Sequence, residues 1–193
     1  MNTNRQITPL LFLLTILFMA GCAPGQIAQP ELPPGPTPTP TSTLILTSRA
    51  FKNGETIPQM YSYKLGGQCN GENYSPPLSI GASPANTQSF ALIMVDPDAG
   101  NWVHWVQFNI PGTTKELDSA VGGPDLGIKG GNSFREIGYA GPCPPSGTHN
   151  YIITIYALDS LLSLSQGATK AEVEAAMRGH ILQQAQLIGK FSH

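Results

Sequence analysis

Residues 89–110 read Ser-Phe-Ala-Leu-Ile-Met-Val-Asp-Pro-Asp-Ala-Gly-Asn-Trp-Val-His-Trp-Val-Gln-Phe-Asn-Ile. Two runs rich in Val, Ile, Phe and Trp, Ser89 to Asp96 and Val103 to Ile110, flank a short Asp-Pro-Asp-Ala-Gly-Asn connection of the kind that ends one strand and starts the next. The pair reads as a β-hairpin. Period-two geometry puts Phe90, Leu92, Met94 and Asp96 on one face of the first strand, and His104, Val106, Phe108 and Ile110 on one face of the second. A carboxylate therefore closes one apolar row and an imidazole opens the other, at the same end of the hairpin.

A third run, His149 to Leu158, carries the row His149, Tyr151, Ile153 and Ile155, and a fourth strand-like run covers Leu44 to Ser48. His149 joins Asp96 and His104 if its strand runs in the same direction as the His104 strand. The 21 glycines and 18 prolines are spread well beyond any one segment, as expected of many short strands joined by turns. Only the C-terminal part reads as helix: Thr169 with Glu172 forms a capping box, and Val173, Met177, Ile181, Ala185 and Ile188 follow at spacings of three and four. Gly179 interrupts that pattern, which predicts two short helices with a bend. The class is all-β, with a helix packed on one side.

An Asp, two His and a Tyr at corresponding strand ends mark a candidate pocket. Each also has a plainer reading: the histidines as hydrogen-bonded boundary residues, Asp96 before Pro97 as a turn initiator, and Tyr151 as a core residue with its hydroxyl at the rim.

The first 22 residues are read as a processing signal. Arg5 precedes an apolar stretch from Leu10 to Ala20, broken only by Thr15, and eleven residues at about 1.5 Å rise cannot cross roughly 30 Å of hydrocarbon. Met19-Ala20-Gly21-Cys22 then resembles the bacterial lipobox, in which the cysteine is lipidated and becomes the first residue of the mature chain. An ordinary signal peptide with an incidental cysteine is the alternative. Residues 23–43 hold seven prolines, Pro24 to Pro40, among Thr, Gly and Gln, and are expected to form an extended tether that places the domain, residues 44–193, away from an extracytoplasmic membrane surface. Charged residues make up 11% of the 193 and the net charge is -2, which leaves no basic stripe for a nucleic acid.

Three segments carry a resemblance. Asp96-Pro97-Asp98-Ala99, then His104-Trp105, then Tyr139-Ala140-Gly141-Pro142-Cys143-Pro144-Pro145-Ser146-Gly147-Thr148-His149-Asn150-Tyr151 resemble the two signatures of the phosphatidylethanolamine-binding protein family, in its bacterial and archaeal, Raf kinase inhibitor-like branch. Cys69-Asn70-Gly71-Glu72-Asn73, Ser75-Pro76-Pro77-Leu78, Tyr156-Ala157-Leu158-Asp159 and Gly179-His180 extend it through the domain. The resemblance implies a Greek-key domain of two antiparallel sheets with a C-terminal helix. It also implies a small-anion pocket for phosphate or a phospholipid headgroup, lined by Asp96, Asp98, His104, His149 and Tyr151, with Gly141, Pro142, Cys143 and Pro144 as its wall. Imidazole N–H groups, a phenol and main-chain amides can all donate to phosphate oxygens. Binding is then expected to tighten from about pH 8 to 6 as the histidines protonate. Gly100 stands where the family has proline, the connection to His104 is a few residues shorter than in relatives, and Phe191 replaces a tyrosine, so the pocket rim and the headgroup preference differ from the family pattern.

The expected role is binding without catalysis, cofactor or metal. The chain has no G-x-S-x-G elbow, and Ser146 is the only serine near these groups in sequence, which leaves a hydrolase little to work with. No H-E-x-x-H or C-x-x-C spacing supports a metal at Asp96, Asp98, His104 and His149. Because relatives include inhibitors, control of a protease or another extracytoplasmic enzyme is the alternative role. Cys69 and Cys143 fall in turn segments that the family places at the pocket mouth, and in an oxidising compartment they are candidates for a disulfide; two buried thiols are the alternative.

Overall fold

The computed structural model describes residues 42–65 and 69–193. The lipobox around Cys22 and the proline-rich segment up to residue 41 lie outside the described residues. Ser42, assigned to the tether from sequence, is already fastened to the fold: its hydroxyl donates to the Ser83 carbonyl and its own carbonyl accepts from Gln183.

Among the described residues, ten strands and one α-helix follow in the order β1 (Leu46–Thr47), β2 (Lys64–Leu65), β3 (Cys69–Asn70), β4 (Leu78–Ile80), β5 (Ser89–Asp96), β6 (Trp102–Pro111), β7 (Glu116–Leu117), β8 (Ile128–Lys129), β9 (Thr148–Leu158), α1 (Lys170–Ala176) and β10 (Ile181–Ser192). The all-β class read from the sequence holds. The strands form a five-stranded sheet ordered β10-β9-β5-β6-β8, a three-stranded sheet ordered β1-β4-β7, and a separate β2-β3 pair, so there are three sheets where two were expected. All pairings between named strands are antiparallel.

β5 lies at the centre of the large sheet and both of its faces are covered, which explains its unbroken apolar sequence. Phe90, Leu92 and Met94 face a core shared with Leu46, Leu78, Ile80 and Leu117 of the small sheet. Ala91 and Ile93 face a second cluster, capped by Val173 of α1 and by Met177 just after it. The expected capping box is present, with Thr169 and Glu172 satisfying each other's backbone; such caps are worth about 1 kcal/mol.

Beyond α1 the helical expectation is corrected. Gly179 sits at φ 81°, the left-handed region that ends the helix, and the residues after it run as β10, paired with β9 from Ile181 to Ser192. Ala, Gln and Leu are good helix formers, and the spacing of Ile181, Ala185 and Ile188 imitates a helical stripe. The burial instead alternates, with Leu187, Gly189 and Phe191 inside. Pairing along the length of β9 outweighs a local preference of a few tenths of a kcal/mol per residue. The chain therefore closes on a strand, and the helix precedes it.

Candidate functional site

Asp96 ends β5 and caps the turn that follows. Its Oδ1 accepts from the Ala99 amide at 3.1 Å, Pro97 opens the turn, and Gly100 and Asn101, at φ 68° and 62°, reverse the chain into β6. Asp96 Oδ2 accepts from His149 Nδ1 at 2.7 Å, and only 2% of the residue is exposed. Asp96 thus caps the turn with one oxygen and holds His149 with the other. β6 and β9 flank β5 on either side, both antiparallel to it, which is the strand direction that bringing His149 to Asp96 required.

His104 reaches the site by a different route from the one its period suggests. The β5–β6 register passes from Met94↔Trp105 to Val95↔Val103, which leaves His104 as the extra residue of a bulge. A second irregularity lies between Phe90 and Leu92, where Asn109 adopts φ 54°. Val106 and Phe108 accordingly pack in the α1-side cluster, whereas Met94, Trp105 and Ile110 pack in the core below Asp96. The expected single row His104-Val106-Phe108-Ile110 is broken. Without the bulge, His104 would share the face of Val106, away from Asp96; bulges commonly re-aim side chains in this way. The His104 ring meets the Tyr151 ring edge-on, with centroids 5.1 Å apart, and its Nδ1–H donates to the Ala140 carbonyl at 2.8 Å. Burial pushes its pKa below the ordinary value, opposed by that carbonyl and by the charge of Asp96. At and above neutral pH the imidazole is therefore neutral, and its one N–H is already committed to Ala140.

Tyr151 is completely buried, and its hydroxyl makes no well-formed hydrogen bond among the described residues, although the Asp96 carboxylate and the Cys143 main chain lie close enough to act on it. Burial first, and then the neighbouring Asp96 carboxylate, raise the phenol far above its usual range, so it stays protonated.

These groups surround a cavity of about 250 Å³ lined by Asp96, Ala99, Trp102, His104, Phe134, Cys143, Pro144, Pro145 and Tyr151. Larger depressions lie elsewhere among the described residues, of about 410, 460 and 320 Å³, but none of the three is lined by a buried titratable group. Of the residues expected from sequence, Asp96, His104, Cys143, Pro144 and Tyr151 line this cavity. His149 stands behind Asp96, and Phe191 pairs with it from β10 inside the core. Asp98 is exposed and fastens the turn to β9, accepting from the Asn150 amide at 2.7 Å and from its side chain at 3.0 Å; those bonds hold its carboxyl below the ordinary range. Gly141 and Pro142 face the 61–73 segment: the Gly141 amide donates to Asn73 Oδ1, and the Pro142 carbonyl accepts from the Tyr63 amide. A Cβ at Gly141 would collide with the Tyr61 carbonyl. Cys69 and Cys143 are joined by a disulfide, with Cα atoms 5.9 Å apart.

The segment that matches the family model for phosphatidylethanolamine-binding protein spans residues 47–192, which takes in every strand and turn of this site. The chain belongs to the phosphatidylethanolamine-binding protein family. A UPF0098 protein of Methanothermobacter thermautotrophicus is 45% identical over 152 residues, covering 76% of this chain and 97% of that one. One from Chlamydia muridarum is 40% identical over 153 residues, with the same coverage of both chains. Among solved structures, the family homologue CT736 of Chlamydia trachomatis superposes with a TM-score of 0.71 at 38% identity, covering 78% of this chain and 98% of its own. Escherichia coli YbcL gives 0.72 at 28% identity, covering 79% and 99%.

The sequence reading missed Phe134 and Trp102 at this phosphatidylethanolamine-binding-protein-family site. Phe134 sits in a loop stitched to the start of β6: Ser133 Oγ accepts from the Val103 amide, and Asn132 Oδ1 accepts from the amides of Phe134 and Glu136. Its ring stacks on Tyr63 at 4.8 Å and meets Trp102 and His104 edge-on at 5.5 Å. Nothing in the local sequence of Phe134 marks it; Trp102, an aromatic directly after the reversing turn, could have been found from its position at the strand end.

Proposed function

We propose that this is a non-catalytic binding protein, exported and held to a membrane by lipid on Cys22, that takes a small phosphate-bearing anion, free or as a phospholipid headgroup, into the cavity between Asp96, His104 and Tyr151. The observation that carries this reading is the Tyr151 hydroxyl, a buried, neutral group on the cavity wall that makes no well-formed hydrogen bond among the described residues. Leaving such a group unbonded costs about 1–3 kcal/mol, which a ligand oxygen would recover. A cavity of about 250 Å³ admits a headgroup-sized ligand and little more. The lipobox-like Met19-Ala20-Gly21-Cys22, the proline-rich segment after it and a disulfide compatible with an oxidising compartment support export. Ser146 is exposed and does not line the cavity, which favours binding over hydrolysis.

The neutral His104 changes the form of the ligand. No lysine or arginine lines the cavity, the one N–H of His104 is spent on Ala140, and the Asp96 carboxylate would repel a dianion. The anion must arrive with a proton. A phosphate monoanion accepts from the Tyr151 hydroxyl and offers its own P–OH to Asp96 or to His104 Nε2. Binding then still tightens as pH falls through the second phosphate pKa near 6, but the ligand brings the proton. Calorimetric titration at pH 6 and 8 with phosphate, phosphoethanolamine and sulfate tests this. Phosphate should bind more tightly at pH 6 than at pH 8, and more tightly than sulfate, which carries no proton. Sulfate binding as well as phosphate at pH 6 would overturn the proton requirement. Failure of all three to bind would overturn the anion reading, and turnover of esters or phosphoesters would overturn the non-catalytic one.

A further inference from the structure

The cavity wall that follows Gly141 is fastened unevenly. Up to Pro142 it is held by hydrogen bonds: Tyr139 Oη donates to the Tyr61 carbonyl at 2.6 Å, the Gly141 amide to Asn73 Oδ1 at 2.8 Å, and the Tyr63 amide to the Pro142 carbonyl at 3.0 Å. The chain is caught again at Gly147, whose carbonyl accepts from the His193 amide at 3.2 Å, just before β9 begins. Between these points, residues Cys143 to Ser146 make no backbone–backbone hydrogen bond among the described residues, and Pro144 and Pro145 have no N–H to offer. Cys143, Pro144 and Pro145 nevertheless form one side of the cavity, and the Cys143 main chain acts on the Tyr151 phenol. The cross-link in this span is the bond to Cys69, 74 residues away. That bond lies between two cavities, since Cys143 lines the one at Tyr151 and Cys69 lines the depression beside Ile57 and Phe191.

We infer that the Cys69–Cys143 disulfide is a redox-modification site whose state controls whether the Cys143–Pro145 wall is held in place, and through the wall the ligand affinity of the cavity. The co-reactant is a dithiol. Its thiolate attacks one sulfur, the Cys69–Cys143 bond breaks through a mixed disulfide, and the second thiol closes the reductant's own disulfide. Two electrons pass to the cysteine pair, which takes up two protons and ends as two thiols. In the oxidised protein the wall is ordered before the ligand arrives. In the reduced protein it must be ordered on binding, and that cost weakens affinity.

The affinity part rests on the anion reading and the wall part does not, so two measurements on full-length protein in detergent separate them. Hydrogen exchange compares the oxidised protein, the dithiothreitol-reduced protein and Cys69→Ser without reductant. Calorimetry with sodium phosphate is run on the same three samples. Exchange at the Tyr63 and Gly141 amides, whose hydrogen bonds anchor the wall beside Cys143, should accelerate roughly tenfold or more in both forms lacking the bond, while β5, β6 and β9 keep their protection. Phosphate should bind roughly tenfold more weakly to both. Unchanged exchange overturns the inference. Protection lost throughout β5, β6 and β9 also overturns it, because the bond would then staple the whole fold. Phosphate affinity that is equal in all three samples overturns control of the cavity. If the oxidised protein binds no phosphate while exchange still changes as stated, the anion reading falls and the redox-controlled wall stands.

Discussion

Replacing Tyr151 with Phe removes one oxygen and leaves the ring in place against His104, 5.1 Å away between centroids. Deleting a buried tyrosine hydroxyl usually costs stability, because the hydroxyl is usually bonded; here it makes no well-formed hydrogen bond to the described residues. An unsatisfied buried hydroxyl is itself a cost of about 1–3 kcal/mol, offset where water reaches it from the cavity. Tyr151→Phe should therefore leave the unfolding free energy unchanged or raise it by up to about 2 kcal/mol in urea titrations, where most core substitutions lower it. The same oxygen donates to the proposed ligand, and a hydrogen bond to a charged group is worth about 1.5–3 kcal/mol, so phosphate affinity at pH 6 should fall by roughly 10- to 150-fold. The two effects have opposite signs, as expected where stability is given up at a functional site. A loss of stability greater than about 1 kcal/mol would mean that the hydroxyl is bonded within the protein. Unchanged phosphate affinity would mean that it does not touch the ligand, and either result refutes the reasoning.

Burial holds the pKa of His104 below its usual value, so once pH drops below about 6.5 the unfolded chain binds more protons than the folded one at this residue. Its contribution is level above that pH and turns destabilising as pH falls toward the lowered folded value; His104→Gln should flatten this part of the decline in urea midpoints between pH 7.5 and 5. Gly189→Ala places a Cβ within 2.8 Å of Phe51 and closer still to Ile57, so it should lower stability by about 1–3 kcal/mol in thermal unfolding. On an exposed helix the same change would stabilise, so a gain would argue against β10. Cys22→Ser should move the protein from the membrane fraction to the soluble fraction, and a mutant that stays fully membrane-bound would place the anchor elsewhere.

The β5–β6 hairpin, the β9 strand, the α1 cap and the row end at Asp96 were legible from sequence. Each rests on neighbours a few residues apart: alternation along a strand, a Pro-Asp-Ala-Gly-Asn reversal, a Thr-x-x-Glu box. The signature segments added the family and, with it, the cysteine pair. What could not be read depended on partners far along the chain. Residues 181–192 became a strand because β9 was there to pair with them, against their own spacing. His104 turned toward Asp96 because β6 carries one more residue than β5 between two paired positions, and a count that depends on two strands at once is invisible in either. Phe134 entered the site through a loop held to β6 by Ser133 and braced internally by Asn132. The tautomer of His104 was set by the Ala140 carbonyl and its lowered pKa by burial, neither of which is a property of histidine in a sequence. Local patterns determine which residues can form strands and turns; registers, bulges and dielectric surroundings exist only after distant segments have packed, and these placed the chemistry of the cavity.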